Sequence, residues 1–364
     1  MNNGYYQVGP QKFSNKLLAL IEGTKTNTFP RWIFNNDIFD AVDWTKEPEQ
    51  DIELLYQSRA RRLREKHNKV VLLYSGGVDS QTVFDSFVNQ GLTVDEIITL
   101  WPVKAADEYH GKSTDRSPEN CISEWTYLIK PQLEYIKKNY PTIKITVVDP
   151  TVNIANANYC ETDFFEFDHF HSIVGLSRWS MLIRLMHQMA EQHPNTVFIT
   201  GTDKPKLKIQ DQHLYVYFLD FMTYLKSTES VNIEYFYWSP DSIDIMRKQC
   251  HLIFDFFQKN AYLRPLLTES SDILLKIVAT CIYPNYDDRR FQAGKQKFVI
   301  FSEQQIWTRN LTQYQTSDYY NQWTGQLSNL NLAVDDKYKQ YKNGLFDGYV
   351  GSVTPFYLIG KFDP

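Results

Sequence analysis

The chain has 364 residues, enough for about two domains, and Lys plus Arg number 38 against 43 for Asp plus Glu, a formal net charge of -5. That balance argues against a basic nucleic-acid coat or an acidic tail protein, and 43% hydrophobic with 22% charged residues argues against wholesale disorder. Aromatic content is high, with Tyr 24, Phe 23 and Trp 8 making 15% of the chain, which is material for a core and for the walls of a site that takes a flat ligand.

In chain order, residues 1–50 show no clean period, and Phe29 to Phe34 read as a strand or a packing arm. Residues 47–68 read as a helix with Glu47 and Glu49 in its first turn and Arg61, Arg62, Arg64 and Lys66 in its last turns. The basic stretch 59–66 is expected to be a solvated helix face, with nucleic-acid binding as the sharper alternative. Lys69 to Tyr74 is a continuous apolar run, as in a strand covered on both faces. A helix over 79–89, a strand over 95–101, a polar loop over 103–120, a long helix over 122–140 and a strand over 143–149 follow. Residues 151–171 are irregular, 177–192 are helical with a Met/Leu stripe expected in the core, and 196–200 are a fourth strand.

This alternation predicts a parallel, doubly wound α/β sheet of Rossmann-like type, with ligands beyond the carboxyl ends of its strands. After residue 201 the pattern changes. Residues 213–225 and 231–238 read as strands, with a hairpin as one arrangement, and 240–259 and 268–282 read as helices. The expected organisation is an N-terminal arm and helix over 1–64, a nucleotide sheet over 65–210, and a helical, aromatic-rich acceptor region over 211–364. No apolar run of about 18 residues suggests a membrane span. The four cysteines, at positions 121, 160, 250 and 281, form no C-x-x-C pair. Reduced cysteines in a cytoplasmic protein are expected, a Cys/His metal site with His169, His171 or His251 being the alternative.

One segment carries chemistry. The strand at 70–74 runs directly into Ser75-Gly76-Gly77-Val78-Asp79-Ser80 and then a helix. Two glycines let backbone N–H groups approach a phosphate, the helix adds its positive end, and Ser75 and Ser80 add hydroxyl donors. Asp79 cannot attract a phosphate, so it is expected to hold Mg²⁺ or to cap the helix. A Walker-type loop is not indicated, because Gly111-Lys112-Ser113 lies in a polar loop with no glycine five residues earlier.

Ser75-Gly76-Gly77-Val78-Asp79-Ser80 resembles the SGGxDS loop (PP-loop) of the N-type ATP pyrophosphatases, a superfamily related to the adenine nucleotide alpha hydrolases. The resemblance covers roughly residues 65–205. It implies an ATP-binding parallel sheet and cleavage between the α- and β-phosphates, leaving an adenylated acceptor and Mg²⁺–pyrophosphate. It assigns the pyrophosphate to Ser75, Gly76, Gly77, Val78, Asp79 and Ser80, and adenine to the strand end at Leu100 and Trp101. Residue 2 is Asn, so the chain lacks the N-terminal nucleophilic Cys of glutamine-dependent members, and it lacks the thiolation and zinc-binding cysteine pairs. An uncharacterised branch, similar to phage-type members, is implied.

Further candidates lie at the other strand ends. Gly201 permits a turn after the fourth strand. Asp203 could share Mg²⁺ with Asp79, and Lys204 or Lys206 could neutralise charge on the α-phosphate or pyrophosphate. Arg178 could reach phosphate or be a surface residue at a helix start. Trp238 could stack on substrate and Asp241 bind a substrate amine, with capping by Ser239 or Asp241 as the plainer role. Residues 160–171, with Glu161, Asp163, Glu166, Asp168, His169 and His171, read as a lid or packing segment, or as an acceptor or metal site. His110 and Arg116 are similar candidates. The leading expectation is an ATP- and Mg²⁺-dependent enzyme that adenylates a small-molecule or nucleoside acceptor for attack by an amine or ammonia. A tRNA or nucleobase modification enzyme and a non-catalytic nucleotide-binding regulator are the alternatives.

Overall fold

The computed structural model describes residues 4–101, 125–148, 178–287 and 353–363, apart from 15–18, 20–21, 24, 29, 203, 221–224, 226, 269–271 and 285. The N-terminal arm is a small antiparallel sheet in which Tyr5–Val8 (β1) lies between Gln11–Phe13 (β2) and Arg31–Ile33 (β3). Of the aromatic stretch before residue 35, Arg31–Ile33 is therefore a strand. The short helix Asn36–Phe39 (α1) follows.

Ile52–Lys66 (α2) starts later than the expected 47, and its first-turn acid is Glu53. Glu47 is used elsewhere. Its carboxylate meets Lys248 Nζ at 2.5 Å, and the Pro48 carbonyl accepts from the same ammonium at 3.1 Å. A largely buried ammonium needs such oxygen partners, and supplying them keeps residues 47–48 out of the helix.

Lys69–Leu73 (β4), Val78–Val88 (α3), Glu96–Leu100 (β5), Lys130–Asn139 (α4), Lys144–Val148 (β6), Arg178–Gln192 (α5) and Thr196–Thr200 (β7) alternate as the pattern implies. Val70, Val71 and Leu72 in β4 and Val197, Phe198 and Ile199 in β7 are fully buried, as strands covered on both faces require. On α5, Leu182, Met186 and Met189 are buried, so the Met/Leu stripe is core. The long helix expected over 122–140 is divided. Trp125–Ile129 forms a π turn, and α4 begins at Lys130 with Pro131 in its first turn. Proline has no N–H to donate and belongs at a helix start.

Lys206–Gln210 (β8), His213–Tyr217 (β9) and Asn232–Tyr235 (β10) correct the hairpin expected between 213–225 and 231–238. β9 pairs backwards with β8 through Asp211 and Gln212, which both take positive φ, 49° and 63°. Two consecutive positive-φ residues match the right-handed twist of the strands they join. β10 instead lies parallel to β7, with Ile233 opposite Phe198. Ile233, Glu234 and Tyr235 are all buried, so β10 shows no alternation that marks an antiparallel partner.

The main sheet therefore extends beyond residue 210. Its order is β10-β7-β4-β5-β6, and every neighbouring pair is parallel. The chain runs outward from β4 to β6, then returns to the other side of β4 for β7 and β10. This is a mixed α/β architecture of Rossmann-like order. The reversal puts the topological switch point between the carboxyl ends of β4 and β7.

Pro240–Ser242 forms a 3₁₀ turn ahead of Ile243–Lys259 (α6), and a second 3₁₀ segment, Ala261–Thr268, precedes Asp272–Ile282 (α7). Tyr357–Lys361 (β11) completes a small sheet beside β9. Much of the aromatic surplus packs in this region. Phe34 meets Phe39, Phe218 and Trp238 at 5.7, 5.9 and 5.5 Å, and Trp44 stacks on Tyr357 at 5.1 Å. These rings join the N-terminal arm to the C-terminal strand. Among the described residues no helix is long and apolar enough to cross a membrane.

Candidate functional site

Beyond Leu73 the chain is still held to the sheet, because Tyr74 N–H donates to Ile98 O at 2.8 Å. Gly76 then takes φ +73°, and a Cβ on it would lie 2.8 Å from Ile129 Cγ1. Both the backbone and the close packing require glycine. Gly77 is the N-cap of α3 and offers no side-chain oxygen to the first-turn amides. That capping role is open to an anion, which the helix dipole favours.

Ser75 and Ser80 close the loop into a ring. Ser75 N–H donates to Ser80 Oγ at 3.2 Å, the two hydroxyls are 3.2 Å apart, and Ser80 Oγ donates to Gly77 O at 3.1 Å. Tyr74 OH donates to Gln81 Oε1 at 2.5 Å and Gln81 Nε2 to Asp85 Oδ1 at 2.7 Å, which ties the first turns of α3 to the end of β4.

Asp79 is the hub of the site. Its carboxylate accepts from Lys204 Nζ at 2.7 Å on Oδ1 and 3.0 Å on Oδ2. The Tyr283 hydroxyl also donates to Oδ1, and the Tyr237 hydroxyl donates to the Asp79 backbone carbonyl at 2.6 Å. Burial, reinforced by the Asp79 charge, pushes both phenols well above the usual tyrosine range. They stay neutral donors at physiological pH.

Gly201 makes the Lys204 contact possible. A Cβ on it would lie 2.9 Å from Asp79 O, so only glycine lets β7 end against the start of α3. The loops after β4 and β7 thus meet at the switch point, where Lys204, one of the two candidate lysines, pairs with Asp79. Lys206 opens β8 instead of continuing the loop.

The carboxyl end of β5 forms one wall. Leu100 pairs with Val148, and Trp101 N–H continues the ladder to Val148 O at 3.0 Å. The Trp101 ring is 8% exposed and stacks on Trp125 at 6.3 Å with 12° between planes. Its indole Nε1 is buried without a hydrogen-bond partner among the described residues. Such a donor is costly unless a ligand acceptor meets it.

Trp238, a candidate for stacking on substrate, is instead core. It is 2% exposed, stacks on Tyr235 at 4.1 Å and donates its indole N–H to Thr202 O. Ser239 caps the following turn by accepting from Asp241 N–H at 3.3 Å. His251 is buried against Trp44 O at 3.1 Å, and burial lowers its pKa, which marks a structural histidine. Arg178 is the first residue of α5, and its side chain lies outside the described residues, as do Asp203, His110, Arg116, Gly111-Lys112-Ser113 and residues 150–171.

The arginines of α2 are not a simple solvated face. Arg59 is buried and meets Glu234 at 2.6 Å, Arg61 binds Gln90 at 2.9 Å, Arg62 reaches Ser242 at 3.1 Å, and Arg64 meets Asp95 at 2.5 Å. They fasten α2 to the sheet and to neighbouring helices.

Tyr237, Tyr283 and Trp125 are site residues that the sequence did not single out. The sequence places Tyr237 inside a strand over 231–238, whereas the strand ends at Tyr235, which leaves Tyr237 just past its carboxyl end. No protein-family model matches the chain, and no curated protein matches it. Its class rests on its architecture: an α/β protein with a five-stranded parallel sheet and a glycine-turned helix N-terminus at the switch point. Among the described residues no group of three or more His, Cys, Asp or Glu side chains could hold a metal.

Proposed function

We propose that the chain is an ATP-dependent adenylating enzyme with a nucleotide sheet of the HUP-like type used by N-type ATP pyrophosphatases. One observation carries the reading. A glycine-turned loop, an uncapped helix N-terminus and Lys204 converge at one switch point, and the neighbouring strand β5 ends at a buried indole donor with no hydrogen-bond partner among the described residues.

In this reading Ser75, Gly76, Gly77, Val78 and Ser80 bind the pyrophosphate portion through backbone amides and hydroxyls, and Lys204 balances its charge. Leu100, Trp101 and Trp125 form the wall that receives the base. Mg²⁺ fits the donor set in a limited way. It is commonly held by one or two carboxylates, phosphate oxygens and water, and the Asp79 carboxylate, 30% exposed, supplies one such ligand. Mg²⁺ would contribute charge neutralisation on the phosphates.

An acceptor oxygen attacks the α-phosphorus, the α–β bridge breaks, and pyrophosphate leaves with its electron pair. An amine or ammonia then displaces AMP from the activated acceptor. Orientation and fixed charge supply the rate enhancement. Incubation with α-labelled ATP and panels of carboxylate, amide and nucleobase acceptors tests the proposal. AMP and pyrophosphate should appear together and diminish in Ser75→Ala and Asp79→Asn. If neither product forms with any acceptor, and neither variant alters nucleotide binding, the proposal is wrong.

A further inference from the structure

Asp79 is held from outside the segment that carries its loop. Tyr237 lies just beyond β10 and Tyr283 just beyond α7, 158 and 204 positions away. Both are almost wholly buried, and their ring centroids lie 5.7 Å apart with the planes tilted by 55°. Tyr56 braces the pair. Its ring meets Tyr237 at 5.4 Å, its hydroxyl donates to Ile282 O at 2.8 Å, and it accepts from Gln249 Nε2 at 2.8 Å. Lys204 Nζ also lies 5.5 Å from the Tyr283 ring centroid.

We propose that Tyr283 and Tyr237 are positioning residues that set the Asp79 carboxylate and backbone for ligand binding, and so make the loop depend on the C-terminal half of the chain. The inference rests on the anion-site reading above. A carboxylate has about four lone-pair sites. Tyr283 occupies one on Oδ1, and Lys204 spans both oxygens. With Tyr283 in place, Lys204 can turn to an incoming phosphate while Asp79 keeps a partner and presents Oδ2 to a cation. Without it, Asp79 is held by Lys204 alone, and the phosphate must break the tighter pair. Of Asp79, Tyr237 holds only the backbone carbonyl, so its loss should weaken binding irrespective of the cation.

Titration calorimetry of the full chain with inorganic pyrophosphate, with and without Mg²⁺, separates these roles. Tyr283→Phe should weaken Mg²⁺–pyrophosphate about tenfold, the scale of one hydrogen bond to a charged group, and weaken metal-free pyrophosphate less. Tyr237→Phe should weaken both forms equally. Both variants should melt within a few degrees of the wild type. Wild-type affinity in Tyr283→Phe overturns the inference and leaves the anion site standing. Collapse of the fold in both variants overturns it in favour of a purely structural role. No binding by the wild type under either condition overturns the site and the inference together.

Discussion

Lys204 and Asp79 stand 125 positions apart, yet the ammonium contacts both carboxylate oxygens, at 2.7 and 3.0 Å. Lys204 is 12% exposed and Asp79 30%, so the pair is in part open to solvent. Ion pairs with such access contribute little stability, about 0–1 kcal/mol. Lys204→Met should therefore shift the urea midpoint only slightly while weakening pyrophosphate binding tenfold or more, about 1.4 kcal/mol. A variant that loses stability but binds normally would show that the pair is structural.

Glycine at 76 and 201 is expected to be required for different reasons. Gly76 combines φ +73° with the Ile129 contact, while Gly201 faces backbone atoms of Asp79. Alanine at either position should cost about 1–3 kcal/mol by overpacking, with the larger loss at Gly76 because strain adds to crowding. Equilibrium urea unfolding gives both values. At Gly201 the displaced atoms belong to Asp79, so Gly201→Ala should also weaken pyrophosphate binding.

The Arg59–Glu234 pair fixes α2 to β10, with both side chains 3% exposed. Without Arg59 the buried Glu234 carboxylate keeps only the distant Lys66 ammonium at 3.8 Å among the described ion pairs, so Arg59→Met should destabilise the protein by about 3 kcal/mol, the low end for a broken buried pair. Combining it with Glu234→Gln should recover part of that loss. Additive losses in the double-mutant cycle would rule out a coupled pair.

Two buried groups predict an acid-side loss of stability. Burial holds the His67 imidazole below its ordinary value of 6.5. For Glu96, burial raises the carboxyl, but hydrogen bonds from Thr146, Lys144 and Lys69 outweigh it and hold the pKa below 4.5. In both cases the unfolded chain binds more protons, so stability rises with pH. The melting temperature should fall as pH drops below about 6.5, where unfolded His67 takes up its proton, and fall again below about 4.5 through Glu96. His67→Gln should shrink the first decline in a pH series of thermal melts, His251→Gln should shrink it further because burial lowers that imidazole too, and both should leave the second.

The hairpin between β8 and β9 turns on Asp211 and Gln212 at φ 49° and 63°. A type I′ turn favours Asn-Gly at such positions. Asp211→Asn with Gln212→Gly should raise stability by about 0.5–1 kcal/mol. An unchanged urea midpoint would mean that the strained turn is offset elsewhere.

Periodicity alone marked β4, β5 and β7, because a strand covered on both faces is largely apolar throughout, whereas the edge strand β6, with Lys144 and Val147 exposed, was marked by its β-branched residues. Residue chemistry marked the Ser75–Ser80 loop and the pair Lys204 and Lys206, because glycine, hydroxyl and ammonium groups at strand ends have local chemical meaning. The division of the 122–140 helix was less legible, although Pro131 was its local cue. The arginines of α2 were visible as charges, while their partners at Glu234, Gln90 and Asp95 were not.

Tertiary structure alone decided that β10 joins the parallel sheet, that the order reverses at β4, and that Tyr237 and Tyr283 close on Asp79. The physical reason is range. Hydrophobic period and turn chemistry act over a few residues and report which faces are buried, whereas partner choice depends on how whole elements pack. A hydroxyl 204 positions from the carboxylate it serves leaves no mark in the residues around either one.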